Sequence, residues 1–492
     1  MILALVLLPA LAGALAFALA SNRARRVLMV ASAAGHAGMV VFAWLLSPAA
    51  IGGWLKLDAL GLVTLTIASG LFLASSVYAA GYLEREGRGP RRDFEEGTLF
   101  ADAPERVFTG CLLLFLAAMT LVTVSHHLGL LWVAVEATTL ASAPLIYFHR
   151  HHRSLEATWK YLLICSVGIA LALLGTFFLA VAGSNSGQEQ LPLVLGDLIA
   201  AGPSLNRLWL RVAIIFLLVG YGTKMGLAPM HTWLPDAHSE SPSLVSALLS
   251  GALLNCAFLG ILRVVQVSAA ASDRAFISGL LVVFGLISMT VAAAFILGQA
   301  DFKRMLAYSS VEHMGILALG VGLGGAGSFG AMLHSVNHSL TKGCLFLVAG
   351  NVLHTYRTKS AREVHGLLRV LPVSGALWVA GFLAIAGSPP FGPFLSELVI
   401  LRAALDTGRN WVAAVYVALL AIIFVGMSAI VMRMAQPAEA GVDLPAAAGG
   451  EAASAILPPL ALGAAVLVLG LYVPPALSGL LHEAGLLLEA YQ

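Results

Sequence analysis

The feature that most constrains this chain is a long succession of apolar stretches, each of which can cross a lipid bilayer. A crossing helix needs about 20 consecutive apolar residues, and in lipid only helices and closed barrels satisfy their backbone hydrogen bonds. With 59% hydrophobic residues, 11% charged residues and a mean hydropathy of +0.92, the chain of 492 residues is predicted to be an all-α polytopic membrane protein. The fourteen predicted segments lie near residues 2–20, 28–47, 57–81, 107–125, 128–148, 157–183, 207–228, 243–268, 275–298, 303–323, 328–353, 371–401 (interrupted), 411–434 and 452–475.

The distribution of basic residues supports this count and gives the chain an orientation. If the N-terminus lies outside and the segments alternate, seventeen of the 27 Lys and Arg residues fall on the inner side and seven on the outer side. Lysine and arginine are enriched in cytoplasmic loops. We therefore expect a multi-pass protein of the inner (plasma) membrane with both termini outside. The first segment is predicted to be a retained span and not a cleaved signal peptide.

Composition also argues against several classes of function. The net charge of +2 and the lack of a basic patch argue against a nucleic acid partner. Cys111, Cys165, Cys256 and Cys344 stand singly in apolar segments without CxxC spacing, so no iron–sulfur or zinc site is predicted. The chain has no GxGxxG motif in a βαβ context and no P-loop. We expect no cofactor to be bound by this chain, and we interpret the charged inner loop 82–106 as a surface that can meet a partner.

The stretch from Val219 to Pro242 breaks the pattern of an ordinary span. Lys224 lies in an apolar run and is followed by Gly226 and Pro229. A charge inside a span normally faces a protein interior or a water-filled path, and a helix break at membrane depth is tolerated only in such places. The stretch therefore predicts a proton or ion route, the alternative being a kinked helix with a structural lysine. Its other ionisable residues are His231, Asp236, His238 and Glu240.

Two earlier segments carry ionisable residues of their own. Glu136 lies roughly midway along the fifth segment. A lone buried carboxylate would be neutral, whereas a nearby lysine would hold it ionised. Lys224 is thus its predicted partner, and a neutral, hydrogen-bonded glutamic acid is the alternative. Glu156 and Lys160 open the sixth segment four residues apart, as expected for a pair on a helix surface.

Segments ten and eleven carry a second group of ionisable residues. Glu312 and His313 lie in the middle of segment ten. In segment eleven, His334, His338 and Lys342 recur every four residues and share one helix face. The histidine pair has the spacing of zinc ligands but no HExxH pattern, and a lysine completes the row. A proton relay is therefore favoured over a metal site.

Segment twelve is interrupted by AGSPPFGPFLSE, because its glycines and prolines cannot all lie in one continuous helix. Glu397 follows the interruption, so the arrangement around Lys224 recurs five segments later. Segments four to eight and nine to thirteen are thus predicted to form two inverted five-helix repeats, with helices 7 and 12 broken, which is typical of a transport path at the membrane midplane. The predicted division is 1–106 (three helices and the charged inner loop), 107–270 (first repeat), 271–436 (second repeat) and 437–492 (C-terminal helix and tail).

Four motifs carry a resemblance to a known family. LLWVAVEATTL, KMGLAPMHTWLPDAH, KRMLAYSSVEHMG and HSLTKGCLFLVAGNVLH resemble, in this order, the antiporter-like membrane subunits of respiratory complex I. That superfamily also includes cation/proton antiporter complexes and membrane-bound hydrogenases, and the resemblance covers residues 100–430. It implies that Glu136 and Lys224 form a switching pair, that Lys342 is a central lysine, and that Glu397 is the ionisable residue at the far end of the path.

Two positions depart from the common pattern of the family. Asn255 stands on the eighth segment where M-type subunits have a lysine, and Glu312 stands before HMG where many members have a small residue. Both features, with PLIYFHRHHRSLEATWKYLL, look more like the F-type subunit of hydrogenase-4 and formate hydrogenlyase complexes. Because an amide cannot exchange a proton as a lysine does, we expect His334 and His338 to carry the step between the two halves.

The sequence thus predicts a proton-translocating membrane subunit of a respiratory or hydrogenase complex. Other membrane subunits and a peripheral redox arm, of hydrogenase or NADH dehydrogenase type, would supply the energy and the oxidoreductase activity. Protons are expected to enter near His231, Asp236 and His238, to reach Lys224, and to pass through Lys342 toward Glu397. The alternatives are a subunit of a cation/proton antiporter or of an inorganic-carbon uptake complex, both without a redox arm, and Na⁺ in place of H⁺.

Overall fold

The computed structural model describes residues 1–86, 91–94, 96–184, 192–437, 444–445 and 451–489. These residues form α-helices almost throughout, with a short antiparallel hairpin, β1 (Arg91–Arg92) and β2 (Leu99–Phe100), in the charged loop. The helices are α1 Ile2–Ala18, α2 Asn22–Leu45, α3 Ala59–Arg85, α4 Glu105–Val124, α5 Leu128–Ile146, α6 His152–Ser184, α7 Leu195–Ala200, α8 Arg207–Met225, α9 Trp233–Glu240, α10 Ser243–Leu248, α11 Leu254–Ala270, α12 Arg274–Ile296, α13 Phe302–Leu323, α14 Ala326–Tyr356, α15 Leu367–Val370, α16 Pro372–Ile385, α17 Gly392–Asp406, α18 Asn410–Ala435, α19 Ala453–Leu471 and α20 Pro475–Glu489. A 3-10 turn covers Gly202–Ser204, and a π-helical turn, Leu249–Leu253, joins α10 to α11.

Each predicted apolar segment coincides with a helix or with a pair of helices. In the described residues, eleven helices are long and apolar enough to cross a membrane, so the chain is membrane-embedded. The number of fourteen spans, the two inverted repeats and the four-part division stay predictions. Several helices begin where a side chain satisfies free backbone N–H groups, as Asp58 does for α3, Asn206 for α8 and Asp301 for α13.

The helices differ in how much of their surface they bury. The most apolar parts of α13 and of the span from α10 to α11 are wholly buried, whereas only 33% of the corresponding part of α2 or α19 is buried. Leu163, Val167 and Phe177 on α6 are each more than half exposed, as expected of side chains that face lipid. Buried ionisable groups on α13 and α14 are therefore enclosed by protein and not by lipid.

The predicted first break lies between α8 and α9. Helix α8 ends at Met225, and Gly226 has a φ of 83°, a left-handed conformation that favours glycine. The indole of Trp233, at the start of α9, donates to the carbonyl of Thr223 at 2.8 Å. The same carbonyl also accepts from the backbone N–H of Gly226 at 3.2 Å, so both the turn and α9 supply hydrogen bonds to the end of α8.

The predicted second break lies between α16 and α17. Helix α16 ends at Ile385, Gly387 has a φ of 65°, and α17 begins at Gly392. A β-carbon on Gly387 would lie 2.0 Å from a carboxylate oxygen of Glu397. Because Gly387 has no side chain, the Glu397 carboxylate can occupy the space where a β-carbon would lie.

The C-terminal tail predicted from the sequence contains a further helix, α20. Glu489 at its end accepts a hydrogen bond from the hydroxyl of Ser328 at 2.6 Å and lies 3.3 Å from the guanidinium of Arg274. These contacts fasten α20 to the start of α12 and α14. The last of the fourteen predicted segments ends at residue 475. Helix α20, which has 15 residues, is therefore not among the predicted spans.

Candidate functional site

Lys224 lies in the last turn of α8, and its side chain is fully buried. Its ammonium donates to the hydroxyl of Thr139 at 2.8 Å and to that of Tyr161 at 2.6 Å. It also lies 4.5 Å from the centre of the Tyr161 ring, within range of a cation–π interaction. The C-terminal end of a helix favours a positive charge. The ammonium is thus stabilised by two hydroxyls, an aromatic ring and the helix end.

Glu136 reaches Lys224 through Thr139 and not directly. One carboxylate oxygen of Glu136 accepts from Thr139 at 3.1 Å, and the other accepts from Ser166 at 3.0 Å. Among the described residues, Glu136 and Lys224 form no ion pair within 4.0 Å. We call Glu136, Thr139, Tyr161, Ser166 and Lys224 the lysine cluster. In this arrangement, Thr139 joins the predicted pair as a hydroxyl bridge.

The three residues predicted at the entrance of the path each have different contacts. Asp236 binds the ammonium of Lys160 at 2.9 Å and the guanidinium of Arg304. His231 is buried, and its ring lies 6.2 Å from that of Tyr308. His238 is fully buried and stacks on Phe346 at 5.1 Å. Phe346 also lies 6.0 Å from the ammonium of Lys342, so His238 faces the second half of the path.

A second ionisable group lies at the end of α9, beside a polar cavity of about 450 Å³. Glu240, which lines the cavity, accepts from Lys359 at 2.7 Å, and His151 lies 3.9 Å from its carboxylate. Burial lowers the pKa of His151, and the Glu240 carboxylate opposes this shift. The imidazole of His151 is therefore uncharged at neutral pH. The cavity is lined by Ser239 and Glu240, which directly follow His238 in the chain.

Hydroxyl groups connect the two halves at the π-helical turn. Asn255 donates to the carbonyl of Gly251 at 2.8 Å and to the hydroxyl of Ser339 at 2.9 Å. Ser250 and Ser310 are hydrogen-bonded at 2.8 Å. π-Helical turns often occur at functional sites. The π-helical turn brings α11 against α14 at Asn255, the position where M-type subunits have a lysine.

Lys342 lies on α14 and is fully buried. Its ammonium donates to the carbonyl of Leu306 at 2.6 Å and to the hydroxyl of Ser309, both on α13. Like Lys224, it is held by hydrogen bonds to neutral groups, and among the described residues it forms no ion pair within 4.0 Å.

Three histidines lie together between α13, α14 and α17. Nδ1 of His313 and Nε2 of His334 are 2.8 Å apart, and Nδ1 of His334 lies 2.9 Å from the hydroxyl of Ser396. The ring centres of His313 and His338 are 4.9 Å apart. We call His313, His334 and His338, with Glu312 and Glu397, the histidine cluster. His334 and His338 thus lie on one face of α14, as their spacing predicts. This face meets His313 and Glu397 from neighbouring helices.

Several polar atoms of the histidine cluster have no hydrogen-bond partner among the described residues. They are Nδ1 and Nε2 of His338, Nε2 of His313, Oε2 of Glu312 and Oε1 of Glu397. All of these side chains are at least nine-tenths buried. Buried polar groups are normally paired, so these atoms are positioned to bind water, protons or a cation.

Five side chains that contact the predicted path residues were not themselves assigned to the path from the sequence: Thr139, Tyr161, Ser309, His313 and Ser396. Four are hydroxyl residues, which are common in membrane helices and carry no distinctive spacing. His313 stands beside Glu312 in the sequence, and its contact with α14 was the missing information. The sequence of a single segment does not show which face of its helix packs against which neighbouring helix.

Comparison with known proteins gives a consistent result. The sequence profile of the family described as "NADH:quinone oxidoreductase/Mrp antiporter, TM" matches residues 125–423. The hydrogenase-4 component F homolog of Methylacidiphilum infernorum is 34% identical over 441 residues, which are 89% of this chain and 89% of that protein. NADH-quinone oxidoreductase subunit N of Desulforudis audaxviator is 29% identical over 457 residues, or 88% of this chain and 86% of that protein.

The fold is shared with a solved antiporter complex. A chain of the Mrp complex from Dietzia sp. DQ12-45-1b matches with a TM-score of 0.84 at 21% sequence identity, over 99% of this chain and 97% of that chain. A likeness at this identity shows the fold alone. The profile match, in contrast, extends over the lysine cluster, the π-helical turn and the histidine cluster.

Proposed function

Since this chain belongs to the family of membrane subunits shared by NADH:quinone oxidoreductases and Mrp antiporters, we propose that it translocates protons as one subunit of a larger complex. A row of enclosed ionisable side chains supports the proposal. Lys224, Lys342, His338, His334 and Glu397 are each at most 6% exposed, and groups of this kind inside a membrane protein mark ion and proton pathways. This row is the observation that carries the proposal.

The lysine cluster would work as a switch. While Thr139 bridges Glu136 to the ammonium of Lys224, the negative carboxylate favours the charged lysine. Movement of Glu136 away would leave a buried charge without compensation. Lys224 would then release its proton toward the hydroxyl groups at the π-helical turn. Tyr161 holds the ammonium in position during this step.

Protons would continue from the π-helical turn to Lys342 and the histidine cluster. An imidazole can accept a proton at one nitrogen and release one from the other. The contact from His313 through His334 to Ser396 gives such a relay three consecutive groups. Glu397, beyond the second break, would be its last acceptor, while His238 offers a separate inner access to Lys342.

The orientation and the partners belong to the same proposal. The excess of Lys and Arg in the predicted inner loops supports an orientation with both termini outside the inner (plasma) membrane. The relative at 34% identity is a hydrogenase-4 component F homolog, which favours a complex with a peripheral redox arm over an antiporter without one. The chain would bind no cofactor, and the oxidoreductase chemistry would belong to its partners.

The experiment that tests proton translocation uses the purified complex in proteoliposomes. An imposed membrane potential drives protons, and a pH-sensitive dye inside the vesicles records their movement. Lys224→Met should abolish the flux, because no other group can replace the buried ammonium. Lys56→Met, which removes an exposed lysine outside the row, should leave the flux unchanged. Normal flux in Lys224→Met would refute the path.

The partners are identified in the same preparation by mass spectrometry. Hydrogenase or iron–sulfur subunits that copurify would support the redox-driven pump. Copurification of small membrane subunits alone would support an antiporter, and of one large soluble protein an inorganic-carbon uptake complex. Measuring the flux with Na⁺ as the only added cation separates H⁺ from Na⁺ transport.

A further inference from the structure

The histidine cluster combines side chains from three helices at distances suited to a metal ion. One ligand atom from each of His313, His334 and Glu397 lies within 4.8 Å of the other two. In a tetrahedral zinc site with bonds of about 2.0–2.1 Å, ligand atoms lie roughly 3.3 Å apart. The side chains would therefore need to move by only about 1–2 Å to reach a shared ion.

A fourth ligand is available in the same place. His338 follows His334 by four residues on one face of α14, which is the spacing of histidine pairs at zinc sites. Its ring centre lies 4.9 Å from that of His313, and neither of its nitrogens has a hydrogen-bond partner among the described residues. From the sequence alone, only His334 and His338 could be counted as ligands. The structure adds His313 and Glu397.

The charges of the cluster also favour a divalent cation. Glu312 and Glu397 are both buried, and among the described residues neither forms an ion pair with a lysine or an arginine. The ammonium of Lys342, one helical turn beyond His338, donates to Leu306 and Ser309 on α13. A lone buried carboxyl group is neutral, so both groups would release their protons when a divalent cation binds. Two carboxylates and a divalent cation surrounded by neutral imidazoles would form a site without net charge.

We propose that the histidine cluster binds one divalent transition-metal ion of the zinc type through His313, His334 and Glu397, with His338 as the fourth ligand. Imidazole and carboxylate are established zinc ligands. A metal ion needs these ligands free of protons, so it would compete with the protons that the same groups carry. This consequence rests on the proposed function: bound metal would interrupt the relay and inhibit proton flux.

Binding is measured first, independently of transport. The purified complex, stripped with a chelator, is dialysed against Zn²⁺ alone, and the bound zinc is counted by elemental analysis. We expect one zinc per chain at a saturable site, and X-ray absorption of the loaded wild type should show imidazole ligands in four-coordinate geometry. The absence of a saturable site, or zinc coordination without imidazole, would overturn the proposal. Because this measurement uses the wild type, it decides the question even if a variant fails to fold.

Variants then assign the site. His313→Gln and His338→Gln should each weaken zinc binding by at least the roughly 10–100-fold typical of changes in the second shell. His36→Gln is the matched control, because His36 is a fully buried histidine on α2 that is hydrogen-bonded to Ser69 and Thr120, outside the cluster. Unchanged binding in both cluster variants would place the zinc elsewhere and refute the assignment.

Transport with and without Zn²⁺ separates this inference from the proposed function. If zinc binds and inhibits a measurable flux in the wild type, and a chelator restores that flux, both stand. If zinc binds but the metal-free complex shows no proton flux, the metal site stands and the proposed function fails. If flux is normal and Zn²⁺ neither binds nor inhibits, only the metal site fails.

Discussion

The lysine cluster and the histidine cluster each lie beside one of the two helix breaks, but they differ in how many of their polar atoms are hydrogen-bonded. The Lys224 ammonium has hydrogen-bond partners on two neighbouring helices, and both oxygens of Glu136 have partners, one on its own helix α5 and one on α6. In the histidine cluster, neither nitrogen of His338 has a hydrogen-bond partner within the described part of the chain, and the same holds for one oxygen each of Glu312 and Glu397. The first cluster therefore holds one definite arrangement of charge, while the second is suited to receive protons or a cation.

The position of each ionisable residue relative to its break explains part of this difference. Lys224 lies before its break, in the last turn of α8, where the helix end favours a positive charge. Glu397 lies after its break and beyond the first turn of α17, where the effect of the helix end has largely faded. The carboxylate of Glu397 thus depends on its neighbours for stabilisation, and those neighbours are mostly histidines.

The largest expected effect comes from neutralising the carboxylate of the histidine cluster. Glu397→Gln keeps the shape of the side chain but removes its ability to accept a proton. Loss of a positioned proton acceptor should reduce flux by about 100-fold or more. The measurement is proton flux in proteoliposomes, with Glu483→Gln, an exposed position on α20, as the control. Flux in Glu397→Gln within a factor of about two of the control would show that the path does not end at Glu397.

The two glycines with left-handed backbones test whether the breaks are equivalent. Gly387→Ala would place a β-carbon 2.0 Å from the Glu397 carboxylate, whereas at Gly226 it would meet the end of the Leu234 side chain at 2.5 Å. Each substitution costs about 1–2 kcal/mol through its backbone conformation. Thermal stability should thus fall similarly in both variants, while flux should fall much further in Gly387→Ala. Equal losses of flux would mean that both glycines act only through the backbone.

A smaller effect is expected from removing one hydroxyl from each cluster. Tyr161→Phe deletes a hydrogen bond to a charged ammonium, which contributes about 1.5–3 kcal/mol, whereas Ser396→Ala deletes a bond to an imidazole, worth about 1 kcal/mol. Thermal unfolding in detergent should therefore detect a larger loss for Tyr161→Phe. The reverse order would indicate that the histidine cluster is the more rigidly ordered of the two.

The sequence predicted the helices and both breaks well, because apolar length and the Gly and Pro positions act locally. It also predicted Lys224, Lys342 and Glu397 as buried, since an ionisable residue in an apolar run must be enclosed. It did not predict the hydroxyl bridge through Thr139, or that His238 faces Phe346 and Asp236 binds Lys160. These facts depend on which helix faces meet, and that depends on packing across segments far apart in the chain.

A third buried group, at the N-terminal end of α3, provides a comparison in which the charge is structural. Asp58 binds the guanidinium of Arg263 at 2.5 and 2.8 Å, and His126 lies 3.6 Å from its carboxylate. Arg263 holds the pKa of Asp58 below its usual range despite burial, so this pair keeps its charges across the physiological range. Unlike either cluster, the pair needs no exchange of protons for its role.

His126 should make this structural group weakly sensitive to acid. Burial lowers the pKa of His126 below its ordinary value near 6.5, and its hydrogen bond to Asp58 opposes the shift only in part. Below about pH 6.5 the unfolded chain therefore binds more protons than the folded one, so stability decreases as the pH falls. In His126→Gln, thermal stability between about pH 7 and pH 5 should change less than in the wild type. Comparison at alkaline pH, where both side chains are neutral, measures the packing loss alone. An unchanged acid-induced decrease in His126→Gln would show that groups other than His126 cause the sensitivity.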